Sequence, residues 1–238
     1  MRLDKLLANA GYGSRKDVKE LVKKRCVTVD GESVTKSNIH VEPNEQIIKV
    51  DNKTVQYQKY IYIMLHKPPD YLSATEDRHQ PTVVDLIPEK YKHYNLAPVG
   101  RLDKDTEGFL LLTNDGQLNH VLTSPRRNIF KTYFAKIKGN VTEAYIQKFR
   151  QGIVLDDGYK TKEAYLKIVK SGDISEVELS ISEGKFHQVK RMFRAIGMEV
   201  IYLKRISIGN LHLDETLPIG KCRLLNDQEL EYLLSLKD

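Results

Sequence analysis

The sequence has no tryptophan and only two cysteines, and no apolar run approaches the length needed to cross a membrane. Cys26 and Cys222 lie far apart and lack the paired spacing of a zinc site or a redox motif, so both are expected to be reduced structural thiols. No phosphate-binding glycine loop, no dinucleotide fingerprint and no cluster of His, Cys, Asp or Glu at metal-ligand spacing occurs. These absences argue against chemistry driven by a nucleotide, a redox couple or a metal, and the expectation is a protein with no metal and no small-molecule cofactor. The opening MRLDKLLANAG mixes acidic and basic residues and has no apolar core of signal-peptide length. A cytoplasmic protein with no membrane partner is therefore expected.

What is present points elsewhere. A chain of 238 residues has room for two domains, one of them with a substantial core. Its 40% hydrophobic and 29% charged residues fit a folded chain rather than a disordered one. The net charge of +6 and the pI near 9.1 favour a polyanionic partner, because lysines and arginines that neutralise phosphates release condensed counterions.

Near the N-terminus, Leu3, Leu6, Leu7 and Ala10 recur at helical spacing until Gly11, which suits the left-handed stop of a short helix. Ser14 can cap a second helix with Asp17 three positions on, and Val18, Leu21 and Val22 supply its apolar stripe. Arg15, Lys16, Lys19, Lys23, Lys24 and Arg25 occupy the other faces; an isolated basic run of this kind is ordinarily a solvated surface. Val27 and Val29 then alternate into Asp30-Gly31, a strong hairpin signal. The whole stretch RLDKLLANAGYGSRKDVKELVKKRCVTVDGESV resembles the alpha-L, or S-four, RNA-binding domain. That resemblance implies that Arg2, Ser14, Arg15, Lys16, Lys19 and Lys23 face an RNA backbone. Residues 1–58 are expected to form this domain, with the polar stretch Asn52 to Lys59 as a linker into a second domain over 59–238.

From Ile61 the chain reads as strands (YIYIML, GFLLLTN, KTYFAKI, EAYLKIV, EVELSIS) with helical segments near 117–123, 142–151 and 186–196. Alternating faces and hairpin-like spacing predict an α+β domain on a mainly antiparallel mixed sheet, without internal repeats.

The segment Pro98-Val-Gly-Arg-Leu-Asp-Lys-Asp-Thr-Glu-Gly108 is a polar loop feeding the apolar strand Phe109 to Leu112. Taken alone, Asp103 in such a loop is a turn-former or a cap. The longer string GRLDKDTEGFLLLTNDG, however, resembles the catalytic motif of the pseudouridine synthases, especially the branch acting on bacterial ribosomal RNA. The resemblance implies that Asp103, rather than Asp105 or Asp115, is the catalytic carboxylate. It also matches Lys131-Thr-Tyr133 to the motif whose tyrosine contacts the target base, although a strand tyrosine on its own is ordinarily core.

A third segment, Glu183-Gly-Lys-Phe-His-Gln-Val-Lys-Arg-Met-Phe193, reads as a helix over 186–196 whose apolar face is Phe186, Val189, Phe193 and Ile196. Lys190 would then sit on or beside that stripe and need a carboxylate, and the resemblance sets this position against the catalytic aspartate. Arg191 and Arg194 are expected to face phosphate, Arg101 to hold displaced RNA, and His187 to be a surface residue outside the catalytic set. The chain departs from the family at Asp70, where relatives often carry glycine after Lys-Pro, and at Lys190, where many have arginine.

The resemblance implies isomerisation of one uridine, a reaction without redox change or external group, so no cofactor site is needed. Asp103 would attack ribose C1′ or uracil C6, or remove a ribose proton, and the sequence does not choose among them. The 186–193 segment and the short C-terminal tail look most like enzymes acting on small-subunit (16S) ribosomal RNA, the expected partner within a partly assembled subunit, with the protein a monomer. The alternatives are a large-subunit synthase, a non-catalytic RNA-binding assembly factor, or an N-glycosidase releasing uracil.

Overall fold

The computed structural model describes residues 1–237, which divide into two compact units: Met1–Ile61 with Pro88–Asn95, and Tyr62–Ile87 with the chain from Leu96 onward. The expected single division after residue 58 is thus displaced to Ile61, and a later segment returns to the first unit. That segment holds a short helix, Glu89–Lys92, and brings His93 against Gly11, where a Cβ would lie 3.1 Å from the imidazole.

In the first unit α1 (Leu3–Asn9) and α2 (Arg15–Lys23) precede β1 (Val27–Val29), β2 (Glu32–Ser33), β3 (Ile48–Val50) and β4 (Lys53–Thr54), an antiparallel sheet in the order β2-β1-β3-β4. Leu3, Leu6 and Leu7 of α1 and Val18 and Val22 of α2 bury their stripes in one core with Val27, Val41, Ile48 and Val50. Ser14 starts α2 through a reciprocal cap: its Oγ accepts from Asp17 N at 3.3 Å, and Asp17 Oδ2 accepts from Ser14 N at 2.8 Å. Asp30 and Gly31 both take positive φ, 52° and 89°, as a two-residue hairpin turn requires.

The linker expected over Asn52 to Lys59 begins later than its polarity suggests. Asp51 and Asn52, at φ 48° and 64°, form a second such turn, and Lys53–Thr54 is the edge strand β4. Polar composition marks an exposed edge strand as readily as a linker.

The second unit is a nine-stranded mixed sheet. Its strands are β5 (Tyr62–Lys67), β6 (Ala97–Pro98), β7 (Glu107–Thr113), β8 (Lys131–Lys138), β9 (Ala164–Lys170), β10 (Ile174–Ile181), β11 (Glu199–Ile208), β12 (Leu211–His212) and β13 (Cys222–Leu224). The order is β13-β5-β7-β11-β8-β10-β9, with β6 beside β7 and β12 beside β11. Every ladder between these strands is antiparallel except β7 with β11, so the expected mainly antiparallel α+β architecture holds. The helices of this unit, after the short α3 (Glu89–Lys92) of the first, are α4 (Gly116–Thr123), α5 (Ala144–Gln151), α6 (Gln188–Ala195) and α7 (Asp227–Ser235).

Phe149 of α5 and Phe193 of α6 meet with ring centroids 5.0 Å apart over Ala135, Ile137, Val177, Leu179 and Leu203 of the sheet. The parallel pairing of β7 with β11 demands close approach. Gly108 stands opposite Arg205, and a Cβ there would lie 2.3 Å from the Arg205 carbonyl oxygen, which explains the glycine at the start of β7. No described helix is long and apolar enough to cross a membrane.

Candidate active site

The loop between β6 and β7 carries Asp103, and its backbone is pinned on both sides of that residue. Ser73 Oγ accepts from Leu102 N at 3.0 Å and donates to Leu102 O at 2.9 Å. Beyond Asp103, the ammonium of the fully buried Lys67 donates to the carbonyls of Pro68, Lys104 and Thr106 at 2.9, 3.1 and 3.0 Å. Burial pushes this ammonium down to about 8, against the attraction of Asp105 and Asp103. Asp70, where relatives often have glycine, takes the left-handed backbone a glycine would favour, at φ 68°, and its N–H donates to Lys104 O at 2.8 Å.

The Asp103 carboxylate is about one-quarter exposed, with Lys190 Nζ 3.4 Å from Oδ2 and His187 Nε2 3.7 Å from Oδ1. Lys190 is not the private partner of Asp103 that the sequence suggests. It donates to both oxygens of Asp105, at 2.6 and 2.8 Å, so one ammonium serves two carboxylates. Burial raises the Asp105 pKa, but the Lys190 hydrogen bond and charge outweigh it and hold the carboxyl below its ordinary range.

Helix α6 starts at Gln188, later than expected, because His187 adopts a left-handed backbone at φ 49°. Phe186 therefore lies outside the helix. It is 75% exposed and stacks on the His187 ring at 3.8 Å, while Val189, Met192 and Phe193 form the buried stripe. His187, expected on the polar flank of a helix and away from the chemistry, instead precedes the helix and stands beside Asp103. Gln188 secures this start, accepting from Lys185 N and donating to Glu183 Oε1, both at 2.8 Å.

Tyr133 on β8 is half-buried against the sheet core. It lines two adjoining cavities that also share Arg101 and Gly184. One, of about 70 Å³, contains Asp103, Thr106 and His187; the other, of about 250 Å³, contains Lys131, Glu183 and Arg205. The sequence reading missed Lys67, Ser73 and Arg205 as well as His187.

The expected RNA-facing residues divide. Arg2, Arg15, Lys16, Lys19 and Lys23 line one basic cleft of about 670 Å³ in the first unit. Ser14 does not line it, and its hydroxyl is committed to the α2 cap. Arg2 is paired with Asp4 and Lys23 with Glu20, whereas Arg15, Lys16 and Lys19 make no ion pair among the described residues. In the second unit Arg101 and Arg194 are exposed. Arg191 is held by Asp156 and by Asp157, the latter at 2.7 Å, so carboxylates already face its charge.

A solved crystal structure of a pseudouridylate synthase superposes with a TM-score of 0.69 at 35% identity, covering 98% of this chain and 99% of that one. Residues 61–195 match the family model for RNA pseudouridylate synthase and residues 1–47 that for the S4 domain. Ribosomal small subunit pseudouridine synthase A of Vibrio parahaemolyticus is 42% identical over 97% of this chain and 98% of its own length. Ribosomal large subunit pseudouridine synthase B of Bacillus subtilis is 39% identical over 100% of this chain and 97% of its own. The chain belongs to the RNA pseudouridylate synthase family: it is a pseudouridine synthase that carries an S4 domain at its N-terminal end.

Proposed function

We propose that this protein converts one uridine of small-subunit ribosomal RNA to pseudouridine, with Asp103 as the catalytic carboxylate. The observation that carries the reading is the clamping of the Asp103 loop, by Ser73 on one side and Lys67 on the other, at a pocket that also holds Tyr133. A carboxylate fixed this way can meet ribose C1′ or uracil C6 without reorganising, which is where a positioned catalytic group gains most. Lys190 sets a positive charge 3.4 Å from Asp103 Oδ2, Tyr133 offers a ring face to uracil and a hydroxyl to relay a proton, and Arg101 holds the strand from which the base is extruded. The basic cleft of the first unit holds RNA by its phosphates, and the enzyme acts as a monomer on RNA in a partly assembled subunit.

Asp103→Asn removes the ionised carboxylate with little change of shape. Tritium release from RNA labelled at uracil C5 should fall to background in this variant while RNA affinity stays within about twofold of wild type; wild-type turnover would exclude Asp103. Mapping pseudouridines in ribosomal RNA from a strain lacking the protein names the target. One missing site in small-subunit RNA is expected, and a missing large-subunit site would overturn the choice of subunit. Chromatography of the RNA products separates isomerisation from glycosidase action, for which free uracil would appear.

A further inference from the structure

The larger of the two cavities beside Tyr133 is lined by more positive charge than the fold can use. Strand register explains how it assembles. Arg205 on β11 stands directly opposite Tyr133 on β8, and Lys131 lies two residues before Tyr133, on the same face of the sheet. Arg101 adds a third cation from the Asp103 loop.

Arg205 is 3% exposed. Its Nε donates to Phe109 O at 2.8 Å, but Nη2 is buried with no acceptor, and the guanidinium makes no ion pair among the described residues. Lys131 donates to Leu122 O at 2.9 Å and Ile129 O at 2.8 Å, which leaves the third hydrogen of its ammonium unused. Burial, with the nearby charge of Arg205, pushes the Lys131 ammonium down to about 8. The one carboxylate lining the cavity, Glu183, already accepts from Tyr159 Oη, Lys162 N and Gln188 Nε2.

A guanidinium only 3% exposed and without a counter-charge is costly, and an apolar side chain of similar volume would pack there at no such cost. A ligand carrying negative charge offsets that cost when it binds. A guanidinium fork and an ammonium on adjoining strands suit the two non-bridging oxygens of a phosphodiester better than a single neutral carbonyl.

We propose that Lys131, Arg205 and Arg101 form a binding site for one phosphodiester group of the substrate strand, distinct from the base pocket at Asp103 and sharing Tyr133 with it. The proposal rests on the reading that the chain acts on a uridine in RNA. Fixing one phosphate at a set offset from Asp103 selects which nucleotide can deliver its base, so the site positions substrate and takes no part in bond making.

The test titrates the full-length protein with uridylyl-uridine and with its methylphosphonate analogue, whose bridging group is neutral, following the buried Arg205 Nε–H resonance by NMR. A saturable shift with the charged dinucleotide, at least tenfold tighter than with the analogue, is expected. Lys131→Gln, checked for folding by thermal melting, should reduce that ratio to about twofold and leave affinity for the analogue unchanged. Equal affinities of wild type for the two dinucleotides would overturn the proposal, and this arm needs no variant should Lys131→Gln unfold. An undiminished ratio in folded Lys131→Gln would also overturn it. Product chromatography on ribosomal RNA separates the two readings: charge discrimination without pseudouridine leaves this site standing and removes the activity, and pseudouridine without discrimination does the reverse.

Discussion

Lys190 illustrates how much depends on a single side chain. Its ammonium lies between Asp103 and Asp105, closer to the second, so its effect on the first is electrostatic and not a tight hydrogen-bonded pair. Lys190→Met keeps the volume and removes the charge that both carboxylates face. We expect kcat/KM to fall by tenfold or more, since a loss of about 1.4 kcal/mol already gives that factor. Lys190→Arg should retain most activity, because the cation persists; equal rates for methionine and lysine across neutral pH would remove Lys190 from the mechanism. Tyr133→Phe separates stacking from proton relay at the neighbouring position. RNA affinity should hold while single-turnover pseudouridine formation slows, and unchanged single-turnover rates would confine Tyr133 to stacking.

At the scale of elements, the end of β5 governs the Asp103 loop through Lys67, whose buried ammonium ties three carbonyls together. Its folded pKa of about 8 lies below the ordinary 10.5. Between those values the unfolded chain still binds a proton that the folded chain has released, so the contribution of this group to stability rises with pH. The slope reaches roughly 1.4 kcal/mol per pH unit at most. Urea unfolding of wild type and Lys67→Met from pH 7.5 to 10 should show a shallower rise for the variant, and a lower midpoint at neutral pH because three carbonyls lose their donor. Parallel pH profiles would contradict this account. Lys67 also marks where the sequence stops being legible. The Asp103 loop, the hairpin at Asp30-Gly31 and the cap at Ser14 are local signals, and each is readable from neighbouring residues. The burial of Lys67 and Arg205 depends on which strands pair, including the parallel contact of β7 with β11, and no local pattern states that. The start of α6 is misplaced in the sequence for the opposite reason: Phe186 fits the apolar spacing of the helix, and only the backbone turn at His187 excludes it.

For the whole molecule, the net charge of +6 is an excess whose distribution matters more than its size. In the first unit the pairing of Arg2 with Asp4 and of Lys23 with Glu20 leaves the basic cleft with Lys36 and with three α2 cations, Arg15, Lys16 and Lys19, that make no ion pair among the described residues. Deleting residues 1–58 would be a poor test of their role, because Pro88–Asn95 folds with that unit and would lose its packing partner. Neutralising the three in the intact chain, as Arg15→Gln, Lys16→Gln and Lys19→Gln together, leaves the α2 stripe and its cap untouched. Each phosphate that a side chain no longer neutralises reduces the slope of log K against log salt by about 0.7 to 0.9. The triple variant should therefore bind ribosomal RNA more weakly at low salt, with a slope shallower by about two, while its single-turnover rate in saturating RNA stays within about threefold of wild type. Binding isotherms from roughly 50 to 300 mM salt measure the first quantity and rapid-quench tritium release the second. An unchanged slope would mean that these side chains are a solvated surface and that RNA is held elsewhere. A collapse of the single-turnover rate at full occupancy would mean that the first unit takes part in presenting the uridine to Asp103, beyond adding affinity.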